Sequence, residues 1–193
     1  MIKYFDAFAG ISGFRSAFER MIGFKCVGYC EIDKYAQKAY QTLYDTGGEA
    51  FYENIKTIDA AGMPDFDLLV GGPPCQSWSL AGKRRFFEDE RGNLFLEYIK
   101  LLEAKRPKYF IAENVPGLLN AAQGACFGIL LEKISELGYC LAWRVLNSAN
   151  FGIPQSRKRV FIIGFLGERC PAEILAFGGT DEKNSSGRKT EQL

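Results

Sequence analysis

Residues 3–31, KYFDAFAGISGFRSAFERMIGFKCVGYCE, decide how the chain begins to fold. KYFDAFA (3–9) reads as a short buried strand running into Gly10-Ile11-Ser12-Gly13. Phe14, Ala17, Phe18, Met21 and Ile22 follow at i, i+3, i+4, i+7 and i+8, the spacing of one helix face. Lys25 to Cys30 is strand-like again, and Glu31 ends it. Strand, glycine turn, helix and strand make a βαβ unit, which implies a parallel sheet.

Working outward, the alternation continues. Asp33 can N-cap a helix whose Ala36, Ala39, Tyr40, Leu43 and Tyr44 form an apolar face. Asp67 to Val70 and Tyr109 to Ala112 read as buried strands, leading into GGPPCQSWS and Glu113-Asn114-Val115-Pro116 respectively. Leu94, Phe95, Tyr98, Leu101 and Leu102 suit one helix; Phe127, Leu130, Leu131, Ile134 and Leu137 suit another that stops near Gly138. Strand-like Leu141 to Leu146 and Val160 to Phe165 are joined through Asn150-Phe151-Gly152-Ile153-Pro154-Gln155. From about Gly178 the chain turns polar, which reads as a disordered tail or an interrupted connection. The expected class is an α/β, Rossmann-like fold, a mostly parallel sheet flanked by helices. Ligands of such a sheet sit beyond the carboxyl ends of the strands.

Composition narrows the chemistry. At 193 residues with 47% hydrophobic side chains, the chain has material for about one domain. The 24 basic residues nearly cancel the 23 acidic ones, so any nucleic-acid contact has to be local. Two short basic clusters, Lys83-Arg84-Arg85 and Arg157-Lys158-Arg159, decide nothing alone, because short charge runs are most often solvated faces. The start MIKYFDAFAG lacks a secretory pattern, and no apolar run approaches the roughly 18 residues of a membrane span, so a cytoplasmic protein without membrane contact is expected. The six cysteines contain no Cys-x-x-Cys pair, and neither disulfides nor a metal site is expected. The chain has no histidine, which excludes Ser-His-Asp and Cys-His catalysis and histidine metal ligation. Acid and base work falls to carboxylates, thiols and lysines.

Four segments can carry chemistry. Phe8-Ala-Gly-Ile-Ser-Gly13 lets backbone approach a ligand and aims a helix amino end at it; a tight turn with no ligand is the alternative. Glu31 stands where a carboxylate can accept hydrogen bonds from a ribose diol, or act as a solvated or capping acid. Cys75, after two glycines and two prolines, sits on a rigid turn that displays a thiol; a structural loop cysteine remains the other reading. Only the thiolate attacks, and at an ordinary pKa of about 8.5 a cysteine needs helpers, for which Arg157 and Arg159 are candidates. Glu113-Asn114 places a carboxylate and an amide at the end of the next strand, as an acid or as a cap on the turn at Pro116-Gly117.

In this order, FAGISGFR, Glu31, DLLVGGPPCQSWS, FEDERGNLF, AENVPG and GIPQSRKRVF resemble the DNA (cytosine-5)-methyltransferase family from Asp6 to about Phe165. The resemblance implies an S-adenosylmethionine-dependent enzyme that flips a cytosine out of double-stranded DNA. Cys75 would attack C6 and the methyl group would be transferred to C5, addition at C6 making C5 enamine-like. Glu113 would hydrogen-bond or protonate cytosine N3 in an enclosed site, with Asn114 positioning it. Arg159 matches the arginine on cytosine O2, and Arg157 its phosphate-side or thiolate-side neighbour. The loop Lys83 to Arg91 would close over the base. For the methyl donor, the resemblance assigns Phe8, Gly10, Ser12, Gly13, Glu31, Asn54, Ile55, Pro73 and Leu94.

Departures from the family pattern carry expectations of their own. Ser12 replaces a usual glycine, tolerable with its hydroxyl facing solvent. Asn54 stands where an aspartate usually holds the adenine amino group, so weaker cofactor binding is expected. Only about 28 residues follow Phe165, with no recognisable target-recognition domain or closing segment. The expected division is a catalytic domain over 1–167 and a polar tail or truncated connection over 168–193. These expectations describe the catalytic subunit of a restriction-modification system, completed by a second polypeptide that supplies recognition. A truncated, inactive product, a noncatalytic S-adenosylmethionine-binding module and an RNA cytosine methyltransferase stay open. Pro-Cys-Gln and Gln-x-Arg-x-Arg count against a dinucleotide oxidoreductase.

Overall fold

The computed structural model describes residues 1–74, 94–167, Cys170 and the backbone of 187–189. Two compact units divide them: Met1–Pro73 with Leu94–Phe110, and a second containing Pro74 and the described residues from Ile111 onward. The expectations for Cys75 and for the Lys83 to Arg91 loop lie outside the described residues.

The first unit is built on β1 (Ile2–Ala7), β2 (Phe24–Cys30), β3 (Ala50–Tyr52) and β4 (Leu68–Gly71), in spatial order β3-β2-β1-β4. Each adjacent pair is parallel, as the alternating pattern implied. Phe5, Ala7, Leu69 and Val70 are fully buried, which explains why β1 and β4 read as apolar runs rather than alternating ones. Gly71 is demanded by packing: a Cβ there would lie 2.4 Å from the Ala7 carbonyl oxygen on β1.

Three helices belong to this unit. In α2 (Lys34–Leu43), the Asp33 carboxylate accepts from Tyr35 and Ala36 N–H groups at 2.9 and 2.8 Å, the expected cap. Its buried residue is Tyr40, and Leu43 is exposed instead of joining the face. Helix α3 (Leu94–Lys105) buries Phe95, Tyr98, Ile99, Leu101 and Leu102. Its Tyr98 hydroxyl donates to the Leu69 carbonyl at 3.0 Å.

Helix α1 differs from its periodicity. It spans only Gly13–Phe18, with Met21 and Ile22 exposed beyond it. The physical reason is the register of the sheet: Phe24 must lie beside Ile2, and Ile2 N–H already bonds the Gly23 carbonyl at 2.7 Å. The chain therefore turns back at once, with Gly23 at φ +99°. The helix residue that becomes buried is Arg15, which the apolar pattern passed over.

The second unit contains all but the first two residues of β5 (Tyr109–Asn114), and then α4 (Gly117–Asn120), α5 (Ala125–Glu136), β6 (Tyr139–Asn147), β7 (Lys158–Leu166) and β8 (Gly187–Lys189). Strand order here is β5-β7-β6-β8. β6 and β7 form an antiparallel hairpin from Tyr139↔Leu166 to Asn147↔Lys158, and β8 pairs antiparallel with β6. Part of the polar stretch after Gly178 is thus a paired strand. Helix α5 buries Phe127, Leu130, Leu131 and Ile134 as its periodicity implied, and Phe127 meets Trp143 of β6 edge-on at 5.3 Å. Gly138, at φ +85°, follows its end. The resulting architecture is α/β, with a mostly parallel sheet flanked by helices.

Candidate functional site

The described candidates fall into two groups, one in each unit. The first gathers around the loop from β1 to α1. Phe8, Gly10 and Ser12 have φ of +56°, +55° and +56°, so left-handed backbone recurs at every second residue. Only glycine adopts this conformation at no steric cost, and Phe8 and Ser12 need the surroundings to hold them there.

Glu31 is the main link to that loop. Its Oε2 accepts from Gly10 N–H and its Oε1 from Asp33 N–H, both at 2.7 Å. The Gln37 side-chain amide donates to the Glu31 carbonyl at 2.7 Å. The carboxylate is thereby fixed in orientation, and each of its oxygens keeps further acceptor capacity for a ligand hydroxyl. Ala9 N–H bonds the Cys30 carbonyl at 2.9 Å, adding a second tie between loop and β2.

Ser12 corrects its expectation. Its hydroxyl points inward: the residue is 3% exposed, Ser12 Oγ donates to the Asp6 carboxylate, and it accepts from Arg15 N–H at 2.8 Å. A serine is accommodated because it caps α1 and joins a buried acid, not because it reaches solvent. Asp6 was not singled out by sequence. Burial pushes its carboxyl up to about 7, against the lowering by the Ser12 hydrogen bond and the Arg15 charge. The same burial pushes the Cys26 and Cys30 thiols up to about 12, which marks them as packed, inert cysteines.

The other residues of this group sit as follows. Asn54 caps a 3₁₀ turn over Ile55–Thr57, its Oδ1 accepting from Lys56 N–H at 3.0 Å, which leaves one lone pair of that oxygen for another donor. Ile55 is 6% exposed, so its side chain serves the core. Gly13 and Leu94 open α1 and α3, and Pro73 is buried just after β4.

The second group lies at the ends of β5 and β7. Arg159 Nε and Glu113 Oε1 form an ion pair at 2.7 Å, with side-chain exposures of 22% and 27%. Glu113 and buried Asn114 are the last residues of β5, and Val115 N–H bonds the Asn114 side-chain oxygen at 2.9 Å. Arg157 is exposed, and its backbone secures the hairpin tip: its N–H donates to Asn147 Oδ1 at 3.0 Å and its carbonyl accepts from Ser148 N–H at 3.0 Å.

Two strands distant in sequence thus bring together the acid of AENVPG and the second arginine of QSRKR, and the sequence over residues 2–191 matches the C-5 cytosine-specific DNA methylase family. The chain belongs to that family. Among its relatives, the orphan methyltransferase M.SPRI of Bacillus phage SPR is 42% identical over 164 residues, 84% of this chain and 37% of that protein. The type II methyltransferase M.NgoBI of Neisseria gonorrhoeae is 43% identical over 86% of this chain and 51% of its own length. The chain spans about a third to a half of the length of these relatives. Among solved structures, the Dnmt2 methyltransferase of S. pombe superposes with a TM-score of 0.73 at 24% identity, covering 95% of this chain and 57% of that one. That of Spodoptera frugiperda DNMT2 gives 0.72 at 22% identity, covering 94% and 54%. These likenesses place the fold among those of known methyltransferases. Among the described residues, no helix is long and apolar enough to cross a membrane.

Proposed function

We propose that this chain is the catalytic region of a DNA (cytosine-5)-methyltransferase that takes its methyl group from S-adenosylmethionine. The observation that carries this reading is the Glu113–Arg159 pair. The two side chains that the ordered motifs assign to cytosine N3 and O2 lie 2.7 Å apart, on strands that meet only through folding. A carboxyl group and a guanidinium so placed offer a cytosine edge one acid and one fork of donors. Asn114, the residue after Glu113, is buried.

The first unit's residues fit the methyl donor by the chemistry of the donor set. Glu31 presents acceptors to a ribose diol, Asn54 Oδ1 retains an acceptor for an amino group, and open space lies where a Cβ of Gly10 or Gly13 would stand, room that a ligand can use. When bound, S-adenosylmethionine supplies an electrophilic methyl group on sulfonium. The chain's part is to orient that ligand through Glu31 and the Phe8–Gly13 loop, with Ile55, Pro73 and Leu94 nearby in sequence motif. Cys75 would act as nucleophile: its thiolate would add to cytosine C6, C5 would take the methyl group as the S–CH3 bond breaks and S-adenosylhomocysteine leaves, and loss of the C5 proton to a base such as water, with release of the thiolate, would restore the ring. Arg157 serves the phosphate or thiolate side of the flipped cytosine.

The substrate is a cytosine in double-stranded DNA, the setting a restriction-modification system, and the compartment the cytoplasm. The chain spans 37% and 51% of the two relatives described above, and a second polypeptide is proposed as the partner that supplies base recognition. Covalent trapping tests this. With that recognition polypeptide present, duplex DNA carrying 5-fluorocytosine should form a denaturation-stable adduct that Cys75→Ser abolishes. An adduct that survives Cys75→Ser would overturn the assignment.

A further inference from the structure

We infer that Tyr44 and Arg15 are positioning residues for S-adenosylmethionine, clamping the Phe8–Ser12 loop in its left-handed conformation at a point separate from the Glu31 contact. The inference rests on the reading that this loop holds the methyl donor. Glu31 grips the loop at Gly10 N–H, but nothing in that contact restrains Ile11 and Ser12. The Tyr44 hydroxyl does: it donates to the Ser12 carbonyl at 3.1 Å and lies 3.4 Å from that of Ile11.

Arg15 in turn immobilises Tyr44. Its guanidinium carbon stands 4.7 Å from the centre of the Tyr44 ring and 5.2 Å from that of Tyr40. It is held by Glu49 at 2.7 Å, Glu19 at 3.0 Å, the Asp45 carbonyl at 2.7 Å and the Tyr40 hydroxyl at 3.2 Å. Tyr40 and Tyr44 meet edge-on at 5.0 Å, closing the cluster with Ala9 and Tyr29. Phe8 and Ser12 are not glycines, so their left-handed backbone persists only where the surroundings over-determine it. Asp6 and Arg15 N–H hold the Ser12 hydroxyl and the Ala9 carbonyl holds its N–H; Tyr44 adds the side-chain restraint on the Ile11 and Ser12 carbonyls, and Arg15 stops its ring from swinging away.

A clamp of this kind acts on the free protein. If the loop relaxes without it, only the fraction in the competent conformation binds, and the apparent Kd rises by the inverse of that fraction. The test is calorimetric titration of the full chain with S-adenosylmethionine, well below the unfolding midpoint. Tyr44→Phe, which removes the hydroxyl and keeps the ring, should raise Kd about three- to tenfold, the worth of one hydrogen bond. Gln41→Leu is the control. It removes a hydrogen bond of the same helix, Gln41 to the Tyr29 hydroxyl at 2.9 Å, without touching the loop, and should leave Kd unchanged. Equal Kd for wild type and Tyr44→Phe, or equal weakening by both variants, overturns the clamp. No binding by wild type overturns the ligand reading, and the clamp with it.

Discussion

The two groups of candidate residues are held in different ways. Around the Phe8–Ser12 loop the supporting side chains lie beneath the surface: Asp6 is 1% exposed, Ser12 3% and Arg15 2%, and each is bonded to the next. The Glu113–Arg159 pair is about a quarter exposed and rests on the ends of two strands. A ligand that must be held in one pose calls for the first kind of support. A base that enters and leaves is better served by the second, where solvent can replace it. Stability changes should therefore concentrate in the first group, and changes in chemistry alone in the second.

The largest expected effect is at Arg15. Arg15→Met leaves Glu49, whose side chain is 9% exposed, as a buried carboxylate without its partner. The cost should be about 3–5 kcal/mol, read as a drop in the denaturant midpoint. A change below about 1 kcal/mol would show that the cluster is not a buried ion-pair network.

A smaller effect, with a pH signature, is expected at Asp6. Its folded carboxyl is raised to about 7, whereas an unfolded aspartate titrates near 3.8. The native state thus holds a proton that the unfolded chain releases, so this contribution to stability is complete below pH ~4 and is lost as pH rises through about 7. Asp6→Asn has no such slope. The stability difference between the two proteins should move in favour of the Asp6→Asn variant as pH rises from about 5 to about 8. A difference flat in pH would contradict burial as the dominant influence on the Asp6 carboxyl.

The smallest effect on folding is expected at Glu113. Glu113→Gln removes one charge of a partly exposed pair, a loss of at most about 1 kcal/mol or a few degrees in Tm. Trapping of 5-fluorocytosine DNA, measured with the proposed recognition polypeptide present, should nonetheless fall at least tenfold, since the amide can donate a hydrogen bond to N3 but has no acidic proton to transfer to it. A stability loss well above about 1 kcal/mol with trapping unchanged would reverse the contrast between the groups.

Much of this arrangement was readable from sequence where its cause is local. The Asp33 cap, α3 and α5 are set by side chains three or four residues apart, and β1 and β4 by short apolar runs. The motifs also named Glu113 and Arg159 before the strands brought them together. What local pattern missed depends on distant partners. Arg15 looked like the polar side of a helix, because its acceptors at Asp45 and Glu49 come from beyond α2. Ser12 turned inward because Asp6 lies under it, and α1 stopped early because β2 had to start beside Ile2. No spacing rule within the helix encodes any of these. The chemistry of Cys75 rests on its motif, since it lies outside the described residues.

Binding of the methyl donor to this chain is the claim most directly open to measurement. Titration with S-adenosylmethionine should give one site per chain, and Glu31→Ala, which removes both the proposed diol acceptor and the tie to Gly10, should weaken it at least tenfold. Absence of binding by the wild-type chain, or equal affinity in Glu31→Ala, would contradict the account.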